Sequence, residues 1–173
     1  GIAEAFLAAG DRVVVCARQQ PESLPRVGGA SADFVACDVR DVDAIKALMA
    51  TIVERHGALD VLINNAGGSP SAEAATASPR FHEGVLRLNL IAPLNIAQAA
   101  NAQMQRQATG GVIVFIGSIS ALRPSPLTAA VLAMLITVPL VRSASLPVPE
   151  SIAVTILTPL TSTALSRMEP RFM

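Results

Sequence analysis

The 173-residue chain has no tyrosine, no tryptophan and, at Lys46, a single lysine. Chemistry that needs a phenol is therefore closed to it, and a side-chain ammonium is available at one position only. Charge of one sign is equally scarce. Thirteen basic residues balance thirteen acidic ones, and like charges nowhere run beyond two, so a nucleic-acid or anionic-membrane surface has no electrostatic basis. The two cysteines, Cys16 and Cys37, lack zinc-like spacing and partner histidines. They read as buried thiols of a reducing compartment rather than as a metal site or a disulfide. No charged-then-apolar leader opens the sequence. The longest apolar run, residues 127–141, is interrupted by Pro139 and falls short of the roughly 18–20 residues that a membrane span needs. These absences point to a soluble, cytoplasmic protein whose partners are small molecules.

What is present is apolar: 51% of residues are hydrophobic and 15% charged, enough to bury a core in one domain covering residues 1–173. Residues 59–67, Leu-Asp-Val-Leu-Ile-Asn-Asn-Ala-Gly, form a strand-length apolar run that ends in two amides and two small residues. Such a run reads as a buried parallel strand opening into a tight turn. Ligands of an open α/β sheet sit beyond the carboxyl ends of its strands, which makes Asn65, Ala66 and Gly67 a candidate binding edge. Residues 12–18 form a second strand, rich in β-branched Val13, Val14 and Val15 and ending at Ala17-Arg18. Residues 34–37 form another, closed by Asp38-Val39. Residues 112–116 form a further buried strand that runs into Gly117-Ser118-Ile119-Ser120, where a serine at the strand's end can face a ligand.

Helical periodicity appears at residues 1–10, through Ile2, Phe6 and Ala9, and again at 42–56, where Asp41 is placed to cap and Gly57 to stop the helix. A third helical pattern covers residues 80–106, with Pro93 expected to kink or divide it. Within it Asn89 is an amide among apolar neighbours that needs a partner. Residues 21–31 and 68–79 read as loops. His56, in a last helical turn, is explained by the helix C-terminus rather than by catalysis. Residues 151–159 recover a strand pattern.

Taken in order, residues 13–18, 34–39, 59–67, Arg87-Leu88-Asn89-Leu90 and 111–120 resemble the motifs of the short-chain dehydrogenase/reductase family, a Rossmann-fold group that moves hydride between NAD(P) and alcohols or ketones. The resemblance implies an α/β fold with a Rossmann-like, doubly wound parallel sheet in three α/β/α layers, here missing the first strand and the C-terminal strand. It implies that Ser118 corresponds to the catalytic serine that hydrogen-bonds the substrate oxygen, and Asn89 to the helix asparagine that holds a relay water. A structural amide bonded to a backbone carbonyl would look the same at Asn89. Cofactor positions implied are Asp38 toward the adenine amino group, Val39 beside it, and Asn65, Ala66 and Gly67. Asp38 could equally be a helix cap. Where NAD-preferring relatives carry an acid, this chain has Ala17 and Arg18, and a guanidinium suits a 2′-phosphate, so the resemblance implies NADP(H) over NAD. A solvated strand-end arginine reads the same way.

The resemblance breaks where the family carries Tyr-x-x-x-Lys. That spacing falls on Val131 and Leu135, and neither can replace a phenol whose pKa, near 10 when free, is lowered by an adjacent cation. His82 would be the nearest substitute by chemistry, but nothing places it there. Gly1 stands just inside the first helix, so the strand and glycine-rich phosphate loop that precede this helix in the family are not expected. Residues 127–141 match a helix that packs on its symmetry mate in the family, which implies either a homo-oligomer or an exposed patch prone to aggregation. Residues 151–159 resemble a strand of pattern Ile-Arg-Val-Asn-x-Ile-x-Pro-Gly, with Ala153, Thr155 and Leu160 replacing arginine, asparagine and glycine. The reading is thus an NADP(H)-type oxidoreductase domain acting on carbonyl or alcohol substrates, impaired in proton transfer. A non-catalytic nucleotide-binding or oligomerisation module, or a degraded fragment, are its alternatives.

Overall fold

Three consecutive valines make a strand that wants both faces covered, and the computed structural model shows how they are covered. It describes residues 1–73 and 75–118 together with the backbone of residues 152–156. The elements in chain order are α1 (Ile2–Ala8), β1 (Arg12–Ala17), β2 (Arg26–Val27), β3 (Ala30–Ser31), β4 (Asp33–Ala36), α2 (Val42–His56), β5 (Val61–Asn64), α3 (Pro79–Leu86), a π-helical segment (Arg87–Ile91), α4 (Ala92–Met104), β6 (Val112–Phe115) and β7 (Ile152–Ile156). Side chains alternate along a strand. In β1, Val13 and Val15 therefore join Ala3, Leu7 and Ala32 in one core, beneath α1. Val14 and Cys16 join Ile45, Leu48, Ile52, Leu62 and Ile96 in the other, beneath α2 and α4. Helices on both faces of a parallel sheet are the three-layer, doubly wound arrangement.

The main sheet runs in the order β4-β1-β7-β5-β6, and every pairing in it is parallel. The doubly wound order is 3-2-1-4-5-6, so the slot between β1 and β5 is the first strand's place. Here β7 fills it. Arg12 to Cys16 pair with Ile152 to Ile156 on one side, and Val61 to Ile63 pair with Ala153 to Thr155 on the other. The likeness of residues 151–159 to a later strand of the family gave no hint of this central position. Its cause is physical: β1 and β5 each present a row of unpaired amides to the gap, and one β-branched segment satisfies both rows.

The helices show where periodicity is a good guide and where it is not. Residues 42–56 are helical as expected, with Asp41 accepting from Asp43 N at 2.9 Å and Ala44 N at 3.3 Å, and with Gly57 left-handed at φ 83°. In α1 the phase was wrong: Ala3 and Leu7 are buried, Phe6 is half-buried, and Ile2 and Ala9 are exposed. Two turns contain too few residues to fix a phase by apolar spacing. The expected helix 80–106 is one path in three parts, and Pro93 marks a division as expected, standing in the first turn of α4 directly after the π-helical segment. Loop 21–31 contains the small hairpin β2–β3.

Beyond α4, Gln107 ties the helical layer to the sheet. Its Oε1 accepts from Leu59 N at 2.8 Å, and its Nε2 donates to Leu59 O and Gly110 O at 3.0 Å each. This clamp sets where β5 begins. Among the described residues no helix is long and apolar enough to cross a membrane. The expectations for Ser120, Val131, Leu135 and the helix over residues 127–141 lie outside the described residues.

Candidate functional site

The carboxyl ends of β1, β4, β5 and β6 share one edge of the sheet, and the sequence candidates gather there because each follows one of these strands or leans on one that does. β5 ends in Asn64, which is 4% exposed, and among the described residues neither polar atom of its amide has a hydrogen-bond partner. A buried amide without partners is costly. The half-buried Asn65, Ala66 and Gly67 follow it.

Asn89, from the π-helical segment, reaches this turn. Its Nδ2 donates to Gly68 O and to Val85 O, both at 2.8 Å, and its Oδ1 accepts from Gly68 N at 2.7 Å. A methyl group at Gly67 would lie 2.8 Å from Asn89 Oδ1, so the glycine is required by this contact. The Asn89 side chain thus holds the loop through its amide. Its backbone carbonyl is a separate matter. Pro93, four residues on, has no N–H to offer it. π-helical segments of this kind recur at functional sites.

At the other end of the edge, Asp38 does not cap α2, which is Asp41's role. Asp38 Oδ1 accepts from Arg40 N at 3.0 Å and Arg40 Nε at 2.9 Å, and Oδ2 accepts from Arg40 Nη2 at 2.5 Å. These hydrogen bonds from Arg40, helped by its charge and that of Arg18, hold the Asp38 carboxyl down at about 2. Beside it lies a cleft of about 340 Å³ lined by Asp38, Arg40, Asp41, Val42 and Arg87, and Arg87 Nη2 donates to Arg40 O across it at 3.4 Å. Val39 is a partial correction. Its side chain is 7% exposed and packs in the core, so only its backbone can face a ligand. Arg18 is exposed at the end of β1.

Ser118 completes the edge. Ile116 N donates to Asn64 O at 2.9 Å, carrying the β5–β6 ladder one residue past β6 and leaving exposed Ser118 on the same side as Asn65 to Gly67. The remaining titratable candidates lie elsewhere. His56 Nε2 is 3.1 Å from Asp33 Oδ2, and Asp33 opens β4, so this pair belongs to the opposite edge. The ring of His82 meets Phe81 edge-on at 5.8 Å. Cys16 and Cys37 are free and buried. A hydrogen bond between the two thiols, together with burial, raises that of Cys16 well above the ordinary range.

Sequence reasoning missed Arg40 and the place of Arg87 at the cleft. An Asp-x-Arg spacing at a strand end was the available signal for the first, since it lets the aspartate accept from the backbone two residues on. The edge fits the adenosine half of a nucleotide. Arg18 offers charge, and Asp38 an acceptor beside a cleft. Ser118 can hydrogen-bond a substrate oxygen. No side chain on this edge among the described residues has the phenol or amine needed to exchange a proton with that oxygen.

A family model described as short chain dehydrogenase matches residues 1–133. The 3-oxoacyl-[acyl-carrier-protein] reductase MabA of Mycobacterium tuberculosis is 38% identical over 86 residues, 50% of this chain and 34% of that protein. The L-fucose dehydrogenase of Oryctolagus cuniculus is 31% identical over 140 residues, 75% of this chain and 47% of that protein. Among solved structures, a short chain dehydrogenase from Mycobacterium smegmatis superposes with a TM-score of 0.68 at 27% identity, covering 76% of this chain and 57% of the other. An actinorhodin polyketide ketoreductase with NADPH superposes at 0.65 with 30% identity, covering 75% and 52%. The chain spans about half or less of the length of the curated relatives it matches.

Proposed function

The chain belongs to the short-chain dehydrogenase family, and from that premise we propose that it is a domain that binds NADP(H) but is deficient in the proton transfer of a carbonyl reductase. The observation that carries the reading is one of composition set against geometry. Arg18, Asp38 and Ser118 share one edge of the sheet, while the chain contains no tyrosine and its one lysine, Lys46, pairs with Asp43 at 2.8 Å on the exposed side of α2.

In this reading Arg18 holds the 2′-phosphate, Asp38 accepts from the adenine amino group, and Asn65 to Gly67 pass close under the nucleotide because Asn89 fixes their turn. Ser118 donates to the oxygen of a small carbonyl substrate or accepts from that of an alcohol. The nicotinamide supplies or takes up hydride when bound. General acid–base groups contribute about 10²- to 10⁴-fold to such reactions, so hydride transfer without one is slow by that factor.

The test is reconstruction. Val131→Tyr with Leu135→Lys, placed by the family's spacing after Ser118, should raise ketone-dependent oxidation of NADPH at least about 100-fold over the parent chain. Equal rates in parent and variant, if both are high, would refute the deficiency. A second reading, self-association, has its own observation: Leu86 at the end of α3, Ile91 in the π-helical segment and Leu94 in α4 stand exposed. Sedimentation of a purified sample as a monomer at all concentrations would remove it.

A further inference from the structure

We propose that Arg40 is a positioning residue that fixes the Asp38 carboxylate for recognition of a purine amino group, so that base discrimination belongs to the pair rather than to Asp38 alone. The proposal deepens the nucleotide-binding reading and rests on it.

The lone pairs of the Asp38 carboxylate set what else it can bind. A carboxylate offers about four acceptor directions. Arg40 N at 3.0 Å and Nε at 2.9 Å take both on Oδ1, and Nη2 at 2.5 Å takes one on Oδ2. One acceptor direction is left, on Oδ2. A free strand-end aspartate rotates about two side-chain torsions and presents its oxygens in many directions. Here a backbone amide and a planar fork grip the group from three points, and a fork of this kind is geometrically specific where an ammonium is not. The pair remains reachable, with side chains 37% exposed for Arg40 and 35% for Asp38, and it lines the cleft. Arg87, at 3.4 Å from Arg40 O, braces the residue from the helical layer.

A single fixed acceptor has a clear selectivity. It accepts a hydrogen bond from the exocyclic amino group of adenine, whereas the carbonyl oxygen that hypoxanthine carries at the same place meets it as a second acceptor. Sites built to hydrogen-bond one group reject the analogue that lacks it, because their polar atoms are then left unpaired. Without the guanidinium, Asp38 turns to other donors and to water, and the distinction between the bases fades.

The experiment is calorimetry on the 173-residue chain with NADPH and with its hypoxanthine analogue, for the parent, Arg40→Met and Arg40→Lys, beside a thermal melt of each. The parent should favour the adenine nucleotide about tenfold or more, on the scale of one charge-assisted hydrogen bond. In Arg40→Met, which keeps the stem but loses the fork, the preference should fall to within about twofold, with Arg40→Lys in between. Should Arg40→Met fail to fold, Arg40→Lys carries the comparison. An equal loss of affinity for both nucleotides, with the ratio preserved, would show a merely structural role and overturn the proposal while leaving nucleotide binding intact. No binding of either nucleotide by the parent would instead overturn the nucleotide reading, and this proposal with it.

Discussion

Replacing Asn89 by alanine removes three hydrogen bonds at once, and the structure says how much each should matter. Two run to Gly68, from its N–H at 2.7 Å and to its carbonyl at 2.8 Å, and one runs to Val85 O at 2.8 Å. Net contributions of about 0.5–1.5 kcal/mol per bond would sum to about 1.5–4.5 kcal/mol. Gly68 is exposed, however, so water replaces its two partners and the lower half of that range applies. We expect a loss of about 2 kcal/mol, equivalent to a fall in Tm of about 4–8 °C for a domain of this size. The same contact accounts for Gly67, whose Cβ would stand 2.8 Å from Asn89 Oδ1. Gly67→Ala should therefore destabilise the parent and cost clearly less in an Asn89→Ala background, since residues in contact are not additive. Denaturant melts of the four proteins measure the coupling, and hydrogen exchange at the Gly68 amide reports the bond itself. Strict additivity, with Gly68 protected equally in parent and Asn89→Ala, would refute the reasoning.

The other expectations are more local. Gln107→Ala strips Leu59, which is fully buried, of partners for both its backbone groups. It should cost about 3 kcal/mol and lower Tm on the order of 10 °C; a fall below about 2 °C would contradict the clamp. Asp38 has a folded pKa depressed from 3.8 to about 2, so its contribution to stability is complete above about pH 4 and is lost as pH falls toward 2. With its side chain 35% exposed, that contribution is below about 1 kcal/mol after screening. In Arg40→Met the Asp38 carboxyl, followed by NMR, should titrate nearer 3.8, and an unmoved midpoint would count against the fork. Val154→Pro removes a ladder donor from the middle of the sheet. The amides of Val14 and Leu62, which flank Val154, should then exchange faster, and unchanged protection would mean that β7 does not occupy the central slot.

Much of this arrangement could be read before the structure, for reasons that differ between elements. α2 was legible to the residue because a fifteen-residue helix carries four turns of apolar period between an aspartate cap and a glycine stop. The strand–turn at Asn64 to Gly67 was legible because composition changes abruptly there. α1 was misphased because seven residues cannot distinguish neighbouring phases. The place of β7 was illegible in principle: period and β-branching report that a segment is a strand, but its neighbours are chosen by which edges stand open. At the site, the resemblance pointed to residues while the structure showed what they hold. Asn89 spends its amide on Gly68 and Val85, Val39 faces the core, and Asp38 is held by an arginine that no motif named.

The central claim is that nucleotide recognition survives in a chain that lacks the groups to move the proton, and one measurement on the purified 173-residue chain addresses both halves. NADPH is titrated in a calorimeter, and the saturated complex is then followed by absorbance across a panel of ketones. Saturable binding with a flat absorbance trace is the expected result. Sustained ketone-dependent oxidation of NADPH, or no binding at all, would contradict it.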